Sequence, residues 1–193
     1  MKLDRLLTEL ETFGAENDSA NTERPKRMLN ITRDTGQLLD VLVKANAARR
    51  VLEIGTSNGY STLWLARAAK SLGGKVVTIE LSDYKIALAK ANFDRSGLSD
   101  AIEQLQADAG KVLADTPDAA FDFIFLDSER SEYVGWWPDI KRVLRPGGLL
   151  VVDNATLHQS EMAPFVGLVD GDAAFSSSRV PVGNGEYLAV KAR

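Results

Sequence analysis

The feature that most restricts this chain is an alternation: from Arg50 to Val152, short apolar or β-branched runs take turns with stretches of helical periodicity. Strands are predicted at 50–54, 75–80, 101–106, 121–126 and 148–152, with helices at 61–71, 84–96, 109–116 and 136–144. Gly97 closes the second of these helices, and Arg145-Pro-Gly-Gly148 is expected to stop the last. Strands joined through helices run parallel, and a parallel sheet is apolar on both sides, so helices must cover both faces. Two further strands, 175–182 and 186–191, flank Gly183-Asn-Gly185 and predict a terminal antiparallel hairpin. The expected fold class is α/β, with a mostly parallel seven-stranded sheet, helices on both faces and a C-terminal antiparallel hairpin. Ahead of the alternation, Leu3, Leu6, Leu7 and Leu10 predict an amphipathic helix over 2–13, followed by a polar loop from Gly14 to Pro25. A second helix is expected from Thr35, capped by Asp34 or Thr35. The chain reads as one domain, with N-terminal helices over 1–45 and an α/β core over 46–193.

With 193 residues, 45% of them hydrophobic and 26% charged, the chain suits one packed core and is too apolar for disorder. Cysteine is absent, which excludes a disulfide framework, a thiolate zinc site and a cysteine nucleophile. Any metal must use oxygen or the one histidine, His158. The opening MKLDRLLTEL lacks the apolar stretch of a signal peptide, and no run approaches the ~18 apolar residues of a membrane span. Cytoplasmic residence without a membrane partner is therefore expected. A net charge of −4 gives no global attraction to nucleic acid. The local cluster Arg24, Lys26, Arg27 and Arg33 is either a solvated face or an anion contact.

In a parallel sheet the ligand belongs at the carboxyl ends of the strands. There the run Val51-Leu-Glu-Ile-Gly-Thr-Ser-Asn-Gly-Tyr-Ser61 passes from strand through a glycine turn into a helix. Gly55 and Gly59 are expected to let a ligand approach the backbone closely. Glu53 precedes the turn, and Glu80 ends the next strand, where a carboxylate can accept from a ribose diol. The turn lacks the G-x-G-x-x-G pattern that accommodates a pyrophosphate, so a cofactor without phosphate fits better. Asp108 follows the third strand, placed either to meet an adenine amino group or to cap the helix at Ala109. Asp127 ends the fourth strand, and Asp153 with Asn154 ends the fifth. Three such oxygen donors suit a hard divalent cation such as Mg²⁺.

From about Met28 to Asn154 the chain resembles the cation-dependent O-methyltransferases, the family of catechol and caffeoyl-coenzyme A O-methyltransferases. The resemblance rests on Met28-Leu-Asn-Ile-Thr32, Glu53-Ile-Gly-Thr-Ser-Asn-Gly-Tyr-Ser61, the Asp127-x-x-x-x-x-Tyr133 segment and Asp153-Asn154. It implies a Rossmann-like methyltransferase fold, S-adenosylmethionine as cofactor and a hydroxylated, catechol-like small molecule as acceptor. It places Glu53, Gly55, Thr56, Ser57, Gly59 and Ser61 around the methionine portion, with Asn30 and Ile31 nearby. Glu80 holds the ribose, Leu81 flanks the adenine, and Asp108 and Ala109 meet its edge. Asp127, which also adjoins the cofactor, joins Asp153 and Asn154 as metal ligand. A homodimer is expected from the resemblance alone.

The family usually carries a lysine three residues after the first metal aspartate, as a candidate base. Here that position is Arg130, whose guanidinium cannot accept a proton at neutral pH and can only stabilise an oxyanion. His158, four residues beyond Asn154, is either that base or an ordinary loop residue. Trp136 and Trp137 either line the acceptor pocket or pack. Two other functions stay open: methylation of a hydroxylated uridine in transfer RNA, with Arg24–Arg33 tracking phosphates, and a cofactor-binding module without turnover. A nicotinamide dehydrogenase is disfavoured by the two-glycine turn.

Overall fold

The structure, a computed structural model, describes residues 2–193. Helix α1 (Lys2–Ala20) buries Leu6, Leu7 and Leu10, but it runs well past the expected end at residue 13. Residues 14–20, expected as loop, are helical because they form a dock for the returning chain. Asp18 accepts from the backbone N–H groups of Met28 at 2.6 Å and Leu29 at 2.8 Å, and Asn30 Nδ2 donates to the Leu10 carbonyl at 3.0 Å. These tertiary hydrogen bonds override a weak local preference. Helix α2 (Arg33–Ala45) starts earlier than expected, with Thr32 as its cap, accepting from the Thr35 N–H at 3.2 Å. Thr35 itself is buried inside the helix.

The alternation follows as β1 (Arg50–Ile54), α3 (Tyr60–Ser71), β2 (Lys75–Glu80), α4 (Asp83–Ser96), β3 (Ile102–Gln106), α5 (Ala109–Asp115), β4 (Phe121–Leu126), α6 (Tyr133–Val143) and β5 (Leu144–Val152). Helix α7 (Gln159–Asp170) and the strands β6 (Phe175–Val180) and β7 (Glu186–Lys191) complete it. Helix α6 ends at Val143, just ahead of Arg145-Pro-Gly-Gly148 as expected, but the strand expected from Gly148 begins earlier, so that this run sits within β5. Leu144 already pairs with Phe121, and the register then shifts so that Leu149 meets Phe123. Gly147, at φ 72, takes up the extra residues of this bulge.

The seven strands lie in the order β3-β2-β1-β4-β5-β7-β6, all parallel except β7, which runs against both neighbours. The period-two alternation of each strand splits the core. Val51, Phe123, Phe125 and Val151 face α1 to α4, while Leu52, Ile54, Ile124, Leu126 and Val152 face α5 to α7. The order reverses between β1 and β4, so the crevice at their carboxyl ends is where such a sheet receives a ligand. Among the described residues no helix is long and apolar enough to cross a membrane.

Candidate active site

The two glycines of the turn after β1 are demanded by the protein itself. Gly55, at φ 109, lies so close to β4 that a Cβ there would overlap the Asp127 carbonyl. Gly59, at φ 87, precedes α3 and faces the Phe93 ring. Their left-handed backbone and these internal contacts require glycine at both positions.

Glu53 shares a strand face with Val51, so its carboxylate points beneath α3 and away from solvent. Ser61 Oγ donates to it at 2.5 Å, Thr78 Oγ1 at 2.6 Å, and Thr62 Oγ1 donates as well. Burial pushes its pKa up to about 7 against the pull of these hydroxyls. Thr56 joins the network through Thr78, 2.6 Å away. The side-chain oxygens of Glu53 and Thr56 are thus engaged in an interior network beneath the turn.

Glu80 faces the crevice beside the turn. Its Oε2 accepts from the Ser57 N–H at 3.0 Å, and its Oε1 from Leu81 at 2.9 Å and Ser82 at 3.0 Å. Leu81 is exposed next to it. Asp108 caps α5 by accepting from the Lys111 N–H at 2.9 Å, with Ala109 buried behind it. Asn30, Ile31, Gly55, Thr56, Ser57, Ser61 and Asp127 line one hollow, together with the unforeseen Leu29, Asn58 and Tyr60. Its free volume is about 10 Å³, because the strap Met28–Ile31 lies over it, tied by Ser57 Oγ to the Met28 carbonyl at 2.7 Å.

On the other side of Gly55, the tips of β4 and β5 bring Asp127, Asp153 and Asn154 together. Asn154 Nδ2 donates to Asp153 Oδ2 at 2.6 Å and to Asp127 Oδ1 at 3.4 Å. Burial, then the charge of Asp153, raises the Asp127 pKa well above the usual carboxylate range; burial raises that of Asp153. The antiparallel register, one step beyond Val152 and Tyr187, sets Glu186 against Asp153. Glu186 is fully buried; Thr35 Oγ1 donates to its Oε1 at 3.0 Å, and its carboxyl is hydrogen-bonded to that of Asp153. Burial and the neighbouring Asp153 hold its proton well above the ordinary range. Sequence reasoning missed Glu186, although an acid heading the apolar run Tyr187–Val190 after Gly-Asn-Gly was a visible signal. Among the described residues no three His, Cys, Asp or Glu side chains form a ready cation site.

Arg130 is buried, and its charge pulls the pKa of both aspartates down. Its Nε donates to Glu161 Oε2 at 2.8 Å, while Glu161 Oε1 lies 3.1 Å from His158 Nδ1. The histidine ring is therefore turned to Glu161, a bridging acid that the sequence did not flag. Trp137 packs edge-on to Phe165, with centroids 5.8 Å apart, and against Phe175 at 4.9 Å; Trp136 lies 5.9 Å from Tyr133. Of the two roles open to the tryptophans, packing is the one seen. The basic cluster is largely neutralised by its neighbours: Lys26 pairs with Glu23 at 2.8 Å, Arg33 with Glu11 at 2.9 Å and Arg24 with Glu129 at 3.8 Å.

The sequence profile of the O-methyltransferase family matches residues 4–165. A catechol O-methyltransferase of Niastella koreensis is 34% identical over 148 residues, covering 74% of this chain and 64% of that enzyme. One from Mycobacterium tuberculosis is 36% identical over 140 residues, covering 72% of this chain and 61% of its own length. The match thus spans less than two thirds of either relative. An O-methyltransferase from Bacillus cereus, solved in complex with SAH, superimposes with a TM-score of 0.80 at 28% identity, covering 97% of this chain and 90% of that one. The O-methyltransferase TomG from Streptomyces achromogenes, solved with SAM, gives a TM-score of 0.79 at 25% identity over 100% of both chains. With the profile spanning most of its residues, this chain belongs to the O-methyltransferase family.

Proposed function

We propose that this protein transfers the methyl group of S-adenosylmethionine to a hydroxyl of a catechol-like small molecule, with a divalent cation held by Asp127, Asp153 and Asn154. The observation that carries the reading is the gathering of half-buried Asp127 and buried Asp153 around the amide of Asn154, with the Asp127 carbonyl against Gly55. Two carboxylates whose pKa values are raised by burial, that of Asp127 also by the charge of Asp153, form a hard-oxygen donor set, which fits Mg²⁺. A bound cation supplies Lewis acidity that favours the deprotonated acceptor. The rest falls to the chain's own residues. Glu80 presents acceptor oxygens for a ribose diol at the tip of β2, and Ser57 and the strap Met28–Ile31 enclose the methionine end once the strap moves aside. Displacement at the methyl carbon needs the acceptor oxygen in line, so the rim must orient more than it must react. Arg130 remains a cation at neutral pH; it offsets the aspartates and takes no proton.

Calorimetric titration of S-adenosylmethionine, followed by transfer assays on hydroxylated aromatics with and without Mg²⁺, tests the reading. Saturable cofactor binding and Mg²⁺-dependent methylation of a catechol are expected; absence of cofactor binding would overturn it. The transfer-RNA alternative loses support from the ion-paired basic cluster, and turnover that survives added salt would separate the two. The homodimer belongs to the same proposal and is read by light scattering.

A further inference from the structure

The amide of Asn154 faces the two aspartates with the wrong end for a cation ligand. Carboxylates only accept hydrogen bonds, so without a cation the NH₂ group must turn toward them, as it does at 2.6 and 3.4 Å. Its Oδ1 points the other way and accepts from Asn184 Nδ2 at 3.2 Å. A cation between the aspartates reverses the demand, because only the Asn154 oxygen can ligate it. Turning that amide over would leave its NH₂ facing the NH₂ of Asn184, two donors against each other. Asn184 must therefore turn as well and offer its own oxygen.

The surroundings allow only this coupled motion. Asn154 sits at φ 65, and its backbone is pinned, with its carbonyl accepting from His158 at 2.9 Å and the next residue donating to Gly185 at 2.8 Å. The Asn184 carbonyl is likewise held, accepting from Leu157 at 3.0 Å and Thr156 at 3.3 Å. Gly185 packs so closely on Thr156 that a Cβ would overlap its hydroxyl, and Gly183 abuts Thr35 in the same way. The loop is thus wedged between α2 and the segment after β5, and its side-chain amides are what remains able to rotate.

We propose that Asn184, in the β6–β7 loop, is a positioning residue for the cation site, setting which end of the Asn154 amide is turned to Asp127 and Asp153. The inference rests on the cation reading above. Partners behind a metal ligand fix its orientation, and their loss commonly weakens binding about 10-fold or more.

Asn184→Asp and Asn184→Ala make the test, with Mn²⁺ affinity measured by electron paramagnetic resonance and thermal midpoints recorded with and without Mn²⁺. An aspartate at 184 accepts only, so it draws the Asn154 NH₂ toward itself and presents the oxygen to the aspartates. Asn184→Asp is expected to lower the midpoint without cation, to show a larger rise on adding Mn²⁺ than the parent, and to bind Mn²⁺ at least as tightly. Asn184→Ala is expected to bind about 10-fold more weakly. Equal Mn²⁺ affinity in parent and both variants would overturn the inference, as would equal weakening of both with equal loss of midpoint, the signature of a merely structural residue. If the parent binds S-adenosylmethionine but neither Mn²⁺ nor Mg²⁺, the cation reading itself fails, and the inference with it.

Discussion

The rim of the sheet carries acids on both sides of Gly55, and the two sides treat them differently. At the tips of β1 and β2, Glu53 accepts from three hydroxyls and Glu80 from three backbone N–H groups. At the tips of β4 and β5 and the start of β7, Asp127, Asp153 and Glu186 share one amide NH₂ and one threonine hydroxyl as outside side-chain donors, and Asp153 and Glu186 are left to pair carboxyl to carboxyl. An acid that is both buried and supplied with donors, as Glu53 is, is part of the scaffold, whereas the half-buried Glu80 is held by its donors at the rim. Acids without them hold a site open for positive charge, because each raises the cost of ionising the next.

The contrast breaks most decisively at Asp127. Asp127→Asn removes one of the crowded charges, so cation affinity and turnover should fall by about 100-fold or more, while the cation-free midpoint rises by about 2–4 °C. A lower midpoint in a scanning calorimeter would mean that the carboxylate is scaffold after all. On the better-satisfied side, Glu80→Ala should raise the dissociation constant for S-adenosylmethionine about 10-fold, the scale of a charge-assisted hydrogen bond, and leave Mn²⁺ affinity unchanged. Isothermal titration of both ligands reads the two effects separately.

Glu53 gives a pH signature. Its pKa is raised from 4.5 to about 7, so the folded chain keeps a proton that the unfolded chain releases. The resulting stability is complete below about pH 4.5 and drains away as pH rises toward 7, with a slope of up to roughly one proton. Glu53→Gln should flatten that slope in urea denaturation between pH 5 and 8; identical slopes in both proteins would remove Glu53 as its source. The smallest effect belongs to His158, whose ring is turned to Glu161 at the surface. His158→Ala should change turnover by less than about twofold across neutral pH, and a larger loss would restore it as a base.

Much of the fold was legible because strand and helix periods differ. Arg50–Ile54, Lys75–Glu80, Phe121–Leu126 and Glu186–Lys191 lie where the pattern puts them. The misreadings have tertiary causes. Residues 14–20 read as loop from their polarity, yet Asp18 is needed by Met28 and Leu29 across the fold. Arg145–Gly148 does stop the helix, but the strand expected from Gly148 starts at Leu144, which has a partner in Phe121. At the site, Asp127, Asp153 and Asn154 were legible because each ends a parallel strand. Glu186 and Asn184 were not, since they reach the rim from an antiparallel strand and its loop.

Local order along the chain thus determined the strands, the glycine turn and the acids at the strand ends, because periodicity and backbone preference act between near neighbours. Only the assembled sheet decided which of those acids are satisfied. Donors such as Thr78 for Glu53 and Thr35 for Glu186 come from other elements, 25 and 151 residues away along the chain. Whether an acid is scaffold or site depends on the burial and the donors that folding delivers together, and both are properties of packing.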